Sequence, residues 1–421
     1  MKKWLSVAII VWMVTVLATV SMAAQASKKA EPIKVGVIQG LTAAHAFYGV
    51  PMLKGHNFAR DEINAAGGVL GRQIEYIVRD HKGTSAEATR VAKELILNEK
   101  VSFLLGTVNS PCGFAISQVA KEYKVLYLDG GIKSAQHTIE SGHRYLFALA
   151  VNDIYDGGVM ALNESKNQFK NYWSMGWDYA YAHNVHNSFV KKLKEVKPDA
   201  KIVGESWLKP GDTELAPVVT SILASKADAI FSALQGISLT SFFKHGKPYG
   251  LFEKLHMVCS ATMGHQEVLQ SMGKDVPDGI LFDGFYWQGY PDTPNNREFV
   301  KRFLNRTGDP FVPGIAHHGY VVSMVLFDAI KKAKTIDTEK VIDVIENMTF
   351  DTPLASGIKF RKIDHNSTIG EVFGVSKYDP DLGYSVLTNL QYIPRGEGFA
   401  ASEQEVKERR AKVGNTWMGG K

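Results

Sequence analysis

The sequence predicts an α/β protein of two lobes, each a parallel sheet flanked by helices. Three observations lead there. Short apolar β-type runs alternate with helical stretches at βαβ spacing, which requires parallel pairing. The alternation restarts near residue 150, giving two series. At 421 residues the chain is too long for one ordinary core, so two domains are the natural expectation.

The first series opens at Ile33, where Ile33 to Ile38 is a β-type run ending in the loop Gln39-Gly40-Leu41-Thr42. Met52 to Ala65 follows as an amphipathic helix with Leu53, Phe58, Ala59 and Ile63 on one side. The glycines of Ala66 to Gly71 stop it. Ile74 to Val78 is a second strand, and Ser85 to Asn98 a helix with Ser85 as its N-cap. Val101 to Leu105, Val125 to Leu128 and Tyr145 to Leu149 are strands, with a helix from Ser110 to Glu122 after a Ser-Pro start. The second series runs through strands at Asn171 to Met175, Lys201 to Trp207, Ala229 to Ala233, His256 to Cys259 and Gly279 to Phe285. Helices near Val185 to Val196 and Leu215 to Lys226 lie between them. The tail from Ser402 to Arg410 is highly charged and reads as an exposed helix or a loose end.

Bulk properties narrow the function. The chain is 45% hydrophobic and 22% charged, with a formal charge of +5 and no basic block, which disfavours nucleic-acid binding. Met1-Lys2-Lys3, the uncharged apolar run Trp4 to Val20, and Ser21, Ala23, Ala24 and Ala26 read as a secretory signal peptide over residues 1–26. Cleavage is expected after Ala26, or else after Ala24. The protein is then periplasmic and exported through the inner membrane. Cys112 and Cys259 make no disulfide framework and are read as unpaired buried thiols.

Parallel sheets hold ligands beyond the carboxyl ends of their strands. That rule selects the loops Gln39 to Gly49, Thr107 to Gly113, Asp129 to Ser134, Gly176 to Tyr181, Ser260 to Gly264 and Phe285 to Tyr290.

At these loops the chain resembles a known family. Lys34-Val35-Gly36-Val37, Tyr48-Gly49, Lys54-Gly55 and Asp61 to Arg72, with its Asn-x-x-Gly-Gly-x-x-Gly, are similar to the opening of the periplasmic branched-chain amino acid (leucine/isoleucine/valine) receptors. Gly106 to Ser110 and Tyr127 to Gly131 match the next two strand-end loops, and the likeness covers roughly 33 to 380. It implies a type I periplasmic binding fold: two Rossmann-like lobes joined by three hinge crossovers. Lobe 1 would be 33–151 plus 279–353, lobe 2 would be 152–278 plus 354–400, and 401–421 a charged tail. It also implies a solute-binding protein of an ABC importer that closes on a small carboxylate-bearing ligand. The expected partners are that ligand and the permease subunits in the inner membrane; the expected state is a monomer.

The resemblance places the ligand-binding residues at Tyr48, Ser110, Gly131, Ile132, Lys133, Asp153 and Tyr181. Tyr48 supplies an aromatic wall. Ser110 opens a helix whose first N–H groups suit a carboxylate. Gly131 and Ile132 offer backbone groups, while Lys133 replaces the family's threonine and either pairs with an anionic ligand or points to solvent. Asp153 accepts from the ligand or from hinge backbone. The family holds the ligand's ammonium with a carboxylate after the strand that here ends at Cys259, yet Ser260 to Gly264 contains no acid. Either Asp283 or Asp178 serves instead, or the ligand lacks an amino group. In Phe285-Tyr286-Trp287, Tyr286 is the residue expected to face the cleft.

No metal spacing, dinucleotide loop, P-loop or nucleophile elbow occurs, so no metal, cofactor or catalysis is expected. Two other functions compete: a sensory receptor of the same fold, and an exported hydrolase with Ser110 or Cys112 as nucleophile.

Overall fold

A computed structural model describes residues 30–42 and 45–420. The expected signal peptide and both cleavage positions lie outside the described residues. The first sheet contains β1 (Ile33–Gln39), β2 (Ile74–Asp80), β3 (Phe103–Gly106), β4 (Leu126–Asp129) and β5 (Leu146–Ala148), in the order β2-β1-β3-β4-β5. Every pairing is parallel. β3 and β4 are buried at every position, as uninterrupted apolar strands covered by helices on both faces must be.

The second sheet contains β6 (Asn171–Trp177), β7 (Lys201–Leu208), β8 (Ala229–Ala233), β9 (His256–Cys259), β10 (Leu281–Gly284), β11 (Glu371–Asp379) and β12 (Tyr384–Ile393). Its order is β12-β11-β10-β9-β8-β6-β7. β6 to β10 run parallel, whereas β11 and β12 add an antiparallel edge that the βαβ pattern does not foretell. β10 lies within the stretch 279–353 expected in lobe 1, but its hydrogen bonds to β9 and β11 put it in the second sheet. The chain leaves that sheet only after Gly284.

Helices Pro294–Thr307 and Gly314–Ala333 pack on the first lobe, where the Phe58 ring meets Phe303 at 5.2 Å and Phe299 at 6.1 Å. Helix Ala46–Ala65 crosses Gly314–Ala333 so closely that a Cβ on Gly55 would sit 1.9 Å from the Ala316 carbonyl oxygen. Only glycine permits that approach. Two chain passages between the sheets lie side by side: Asn366 Nδ2 donates to the carbonyls of Ala148 (3.0 Å) and Ala150 (2.8 Å), and Asn152 Nδ2 donates to Asn366 Oδ1 (3.1 Å).

One helix cap differs from expectation: Thr84, not Ser85, caps the Ser85–Leu97 helix. The next helix starts at Ser110 as expected, with Asn109 Oδ1 accepting from Cys112 N at 3.0 Å as its cap. The tail is not loose. Helix Glu403–Lys412 buries Arg410, whose guanidinium donates to the carbonyls of Thr138 (3.0 Å), Ile139 (2.9 Å) and Trp417 (2.9 Å). Arg409 grips the Glu140 carboxylate with two bonds. Among the described residues, no helix is long and apolar enough to cross a membrane. Cys112 and Cys259 are both free and buried.

Candidate functional site between the lobes

Each sheet has a point where its strand order reverses, between β1 and β3 in the first and between β6 and β8 in the second. The crevice beyond such points is where open α/β sheets bind ligands. The loops leaving these strands carry Tyr48 and Ser110 on one lobe and Trp177, Tyr179 and Tyr181 on the other.

Tyr48 is half-buried and packs, with Val108, on a cluster of Met52, Ala150, Phe285 and Ile315. Burial, then the nearby Glu267 carboxylate, push its phenol up to about 12. Tyr179 faces it electrostatically: burial raises the Tyr179 phenol, and the Tyr48 hydroxyl adds to the effect. Tyr179 and Tyr181 lie 6.0 Å apart between ring centres, as do Trp177 and Tyr179. Tyr179 OH donates to Gln235 Oε1 (3.1 Å) and Trp177 Nε1 to Ser238 Oγ (2.9 Å), which fixes both rings against β8's exit loop. Ser110 is half-buried at the first turn of its helix, released from capping duty by Asn109.

The loop after β4 departs from expectation. Asp129 Oδ1 already accepts from the amides of Gly131 (2.7 Å) and Ile132 (3.0 Å), so those N–H groups are not on offer to a ligand. Lys133 neither reaches solvent nor keeps a free charge. Its ammonium is buried 2.8 Å from Asp156 Oδ1 and 2.7 Å from Glu371 Oε1, and it lies 5.3 Å from the centre of the Phe285 ring. Burial alone would depress this lysine; Asp156, Glu371 and Asp283 reverse that and hold it above the ordinary lysine value.

Asp283 completes the cluster, accepting from Thr262 N (2.7 Å) and Ser260 Oγ (3.2 Å). Thus the acid-free loop Ser260–Gly264 does border a carboxylate, contributed by β10. Tyr181 OH donates to Asp156 Oδ2 at 2.6 Å, bringing Tyr181 into the same group. Burial pushes Asp156 up to about 7 despite Lys133, and pushes Asp283 and Glu371 upward as well. One oxygen from each acid lies within 4.8 Å of the others, a spacing a hard cation can use, but the Lys133 ammonium already bridges two of the three. His318 stacks on Phe285 at 3.9 Å and donates through Nδ1 to Gly130 O (2.9 Å); His265 Nε2 accepts from Phe285 N (2.9 Å). Burial draws both imidazoles down to about 3, so they are neutral.

Three expected residues stand elsewhere. Tyr286 is turned into the first lobe's core, its ring stacked on His317 at 4.6 Å and its hydroxyl donating to Asn296 at 2.6 Å. Phe285, not Tyr286, faces Lys133. Asp153 is buried at the start of its helix, accepting from Ala135 N (3.3 Å) and Asn184 Nδ2 (3.1 Å). Asp178 is exposed and pairs with His183 at 2.8 Å. Asp156, Glu371 and Tyr179 are additions that sequence reasoning passed over. Asp156 had one signal, an acid three residues after Asp153 on the same helix face. Glu371 had another, an acid heading the apolar run Val372-Phe373-Gly374-Val375.

Known proteins are similar to this chain in sequence and fold. The leucine-, isoleucine-, valine-, threonine- and alanine-binding protein of Pseudomonas aeruginosa is 22% identical over 329 residues, 78% of this chain and 85% of that protein. A solute-binding protein of an ABC transporter from Rhodopseudomonas palustris, solved with 3,4-dihydroxybenzoic acid, superposes with a TM-score of 0.76 at 20% identity, covering 88% of this chain and 99% of that one. A branched-chain amino acid transporter substrate-binding protein from Streptococcus pneumoniae, solved with isoleucine, gives 0.73 at 21% identity, covering 86% and 99%. The match to the family described as periplasmic binding protein spans residues 32–374, most of the chain, and the protein belongs to that family.

Proposed function

We propose that this chain is the extracytoplasmic solute-binding component of an ABC importer, which captures a small carboxylate-bearing solute between its lobes and presents it to inner-membrane permease subunits. One observation supports the reading: the segments beyond the two strand-reversal points carry Tyr48 and Ser110 from one lobe and Tyr179 and Tyr181 from the other, and Tyr48 lies near enough to Tyr179 to raise its phenol. A crevice between such segments encloses a small molecule when the lobes close about a hinge. The relatives' names extend the ligand class to both aliphatic amino acids and aromatic acids. A periplasmic location follows from family membership together with the basic and apolar N-terminal sequence.

Binding without catalysis suits the side chains present. Burial pushes the Cys112 thiol up to about 12, the reverse of an activated nucleophile. A thermal-shift screen of the periplasmic protein tests the reading with two panels, aliphatic amino acids and amine-free aliphatic or aromatic carboxylates. A solute that binds only the folded form raises the melting temperature, by the equivalent of about 2.7 kcal/mol at a hundred times its Kd. A rise in either panel is expected; flat curves throughout both would overturn the proposal.

A further inference from the structure

Lys133 belongs to the first lobe and its ammonium enters a socket made by the second. Asp156 comes from the first turn of helix Asp153–Glu164, Asp283 from β10 and Glu371 from the start of β11; all three are fully buried. The Phe285 ring, 5.3 Å from the nitrogen, closes another side. Three carboxylates and an aromatic face make a site for a primary ammonium, which has three donors and is drawn to a ring. The lysine arrives there by construction. Its carbonyl accepts from Asp153 N at 2.8 Å, and the two residues before it are pinned to Asp129. The acids are also held: Thr262 and Ser260 bond Asp283, and Tyr181 bonds Asp156.

We infer that Lys133 is a built-in ammonium that fills the cation subsite of the cleft, so that the protein selects solutes without an amino group of their own. The inference rests on the proposed function for the identity of the crevice as the solute site. A second ammonium would compete with Lys133 for the acids of this socket, and an ammonium left unpaired among buried groups is costly. An amine-free acid needs only Ser110's end of the crevice for its carboxylate and the tyrosines for its apolar part. Lys133 is thereby a specificity-determining residue, and its link to Asp156 and Glu371 draws the two lobes together.

The first measurement uses the unaltered protein and matched solute pairs, 4-methylpentanoate against leucine and 3-phenylpropionate against phenylalanine. The amine-free member of each pair is expected to bind about tenfold tighter or more, given the cost of burying an unpaired charge. Tighter binding of the amino acids overturns the inference. The second measurement is chemical rescue. Lys133→Ala removes the equivalent of n-propylammonium, and millimolar n-propylammonium should raise that variant's melting temperature by several degrees. Neither n-propanol on the variant nor n-propylammonium on the unaltered protein should do so. Equal responses to the amine and the alcohol overturn the socket. Rescue without any solute binding would leave the socket standing and remove the solute-binding reading; solute binding without rescue would do the opposite. Should Lys133→Ala not accumulate, the matched pairs still decide.

Discussion

Lys133 and Arg410 are both cations withdrawn from water, and their surroundings differ in kind. Lys133 meets carboxylates from Asp156 and Glu371, with Asp283 beside them. Arg410 meets the carbonyls of Thr138, Ile139 and Trp417. Burial pulls Arg410 down to about 10, whereas the acids hold Lys133 above its ordinary value. Carbonyl dipoles satisfy a guanidinium's donors without neutralising its charge, and arginine tolerates this because its intrinsic basicity is so high. A lysine in that setting would lose its proton. The comparison separates a fastening from a device: Arg410 ties the tail to one lobe, while Lys133 spends three ionisable partners where the lobes face each other.

The largest expected effect is at Lys133. Lys133→Met keeps the volume but leaves buried acids without their cation, and breaking such a pair costs about 3–5 kcal/mol; urea denaturation measures it. Arg410→Met leaves three carbonyls without donors next to water that can enter, and should cost about 2–3 kcal/mol by the same method. If Arg410→Met proves the more damaging, the distinction between the two cations fails. Ser110→Ala should leave stability nearly unchanged and weaken solute binding by about 1–3 kcal/mol, provided its hydroxyl meets a buried ligand group; calorimetry with a solute from the screen would remove Ser110 from the site if affinity were unaltered. Tyr181→Phe deletes one bond to Asp156 and should cost about 1 kcal/mol of stability.

Asp153 sharpens the comparison through pH rather than through loss of a contact. Burial pushes its carboxyl up to about 6. The folded form therefore holds this proton more tightly than the unfolded chain, whose value is about 4. Its contribution to stability falls as pH rises through that window and stays lost above it. Asp153→Asn should flatten the difference, so that the gap between variant and parent melting temperatures moves between about pH 4 and 6. A constant gap would show that Asp153 ionises normally.

The legible parts of this protein are those with a local cause. β1, β3, β4, β5, β8, β9 and β10 stand out because parallel strands buried on both faces are apolar runs bounded by turns, and the edge strands β2 and β7 because they fall in step with that alternation. β11 and β12 carry charged and polar residues such as Lys377 and Asn389 on an exposed face, so they lack that mark. The segments that carry Tyr48, Ser110 and Tyr181 follow from the strand-end rule, which needs only the order of elements, while the choice of these residues within them comes from the family resemblance. The partners of Lys133 do not: Glu371 is 238 residues away, and no periodicity links them. Phe285 and Tyr286 exchange their expected places because the passage after β10 has no ladder to set which side chain faces where. The residues 131 and 132 look available until Asp129, two and three positions earlier, is seen to occupy their amides.

Trp417 gives the tail a use at the bench. Its ring covers the Arg410 guanidinium at 4.4 Å and meets His365 edge-on at 4.7 Å, while its backbone carbonyl takes one of the arginine's bonds. The indole's emission thus reports whether the last helix is seated on residues 138–142 and on the Asn366 passage. Subtracting the spectrum of Trp417→Phe isolates that signal, and following it through unfolding would tell whether the tail peels away before the lobes come apart or leaves together with them.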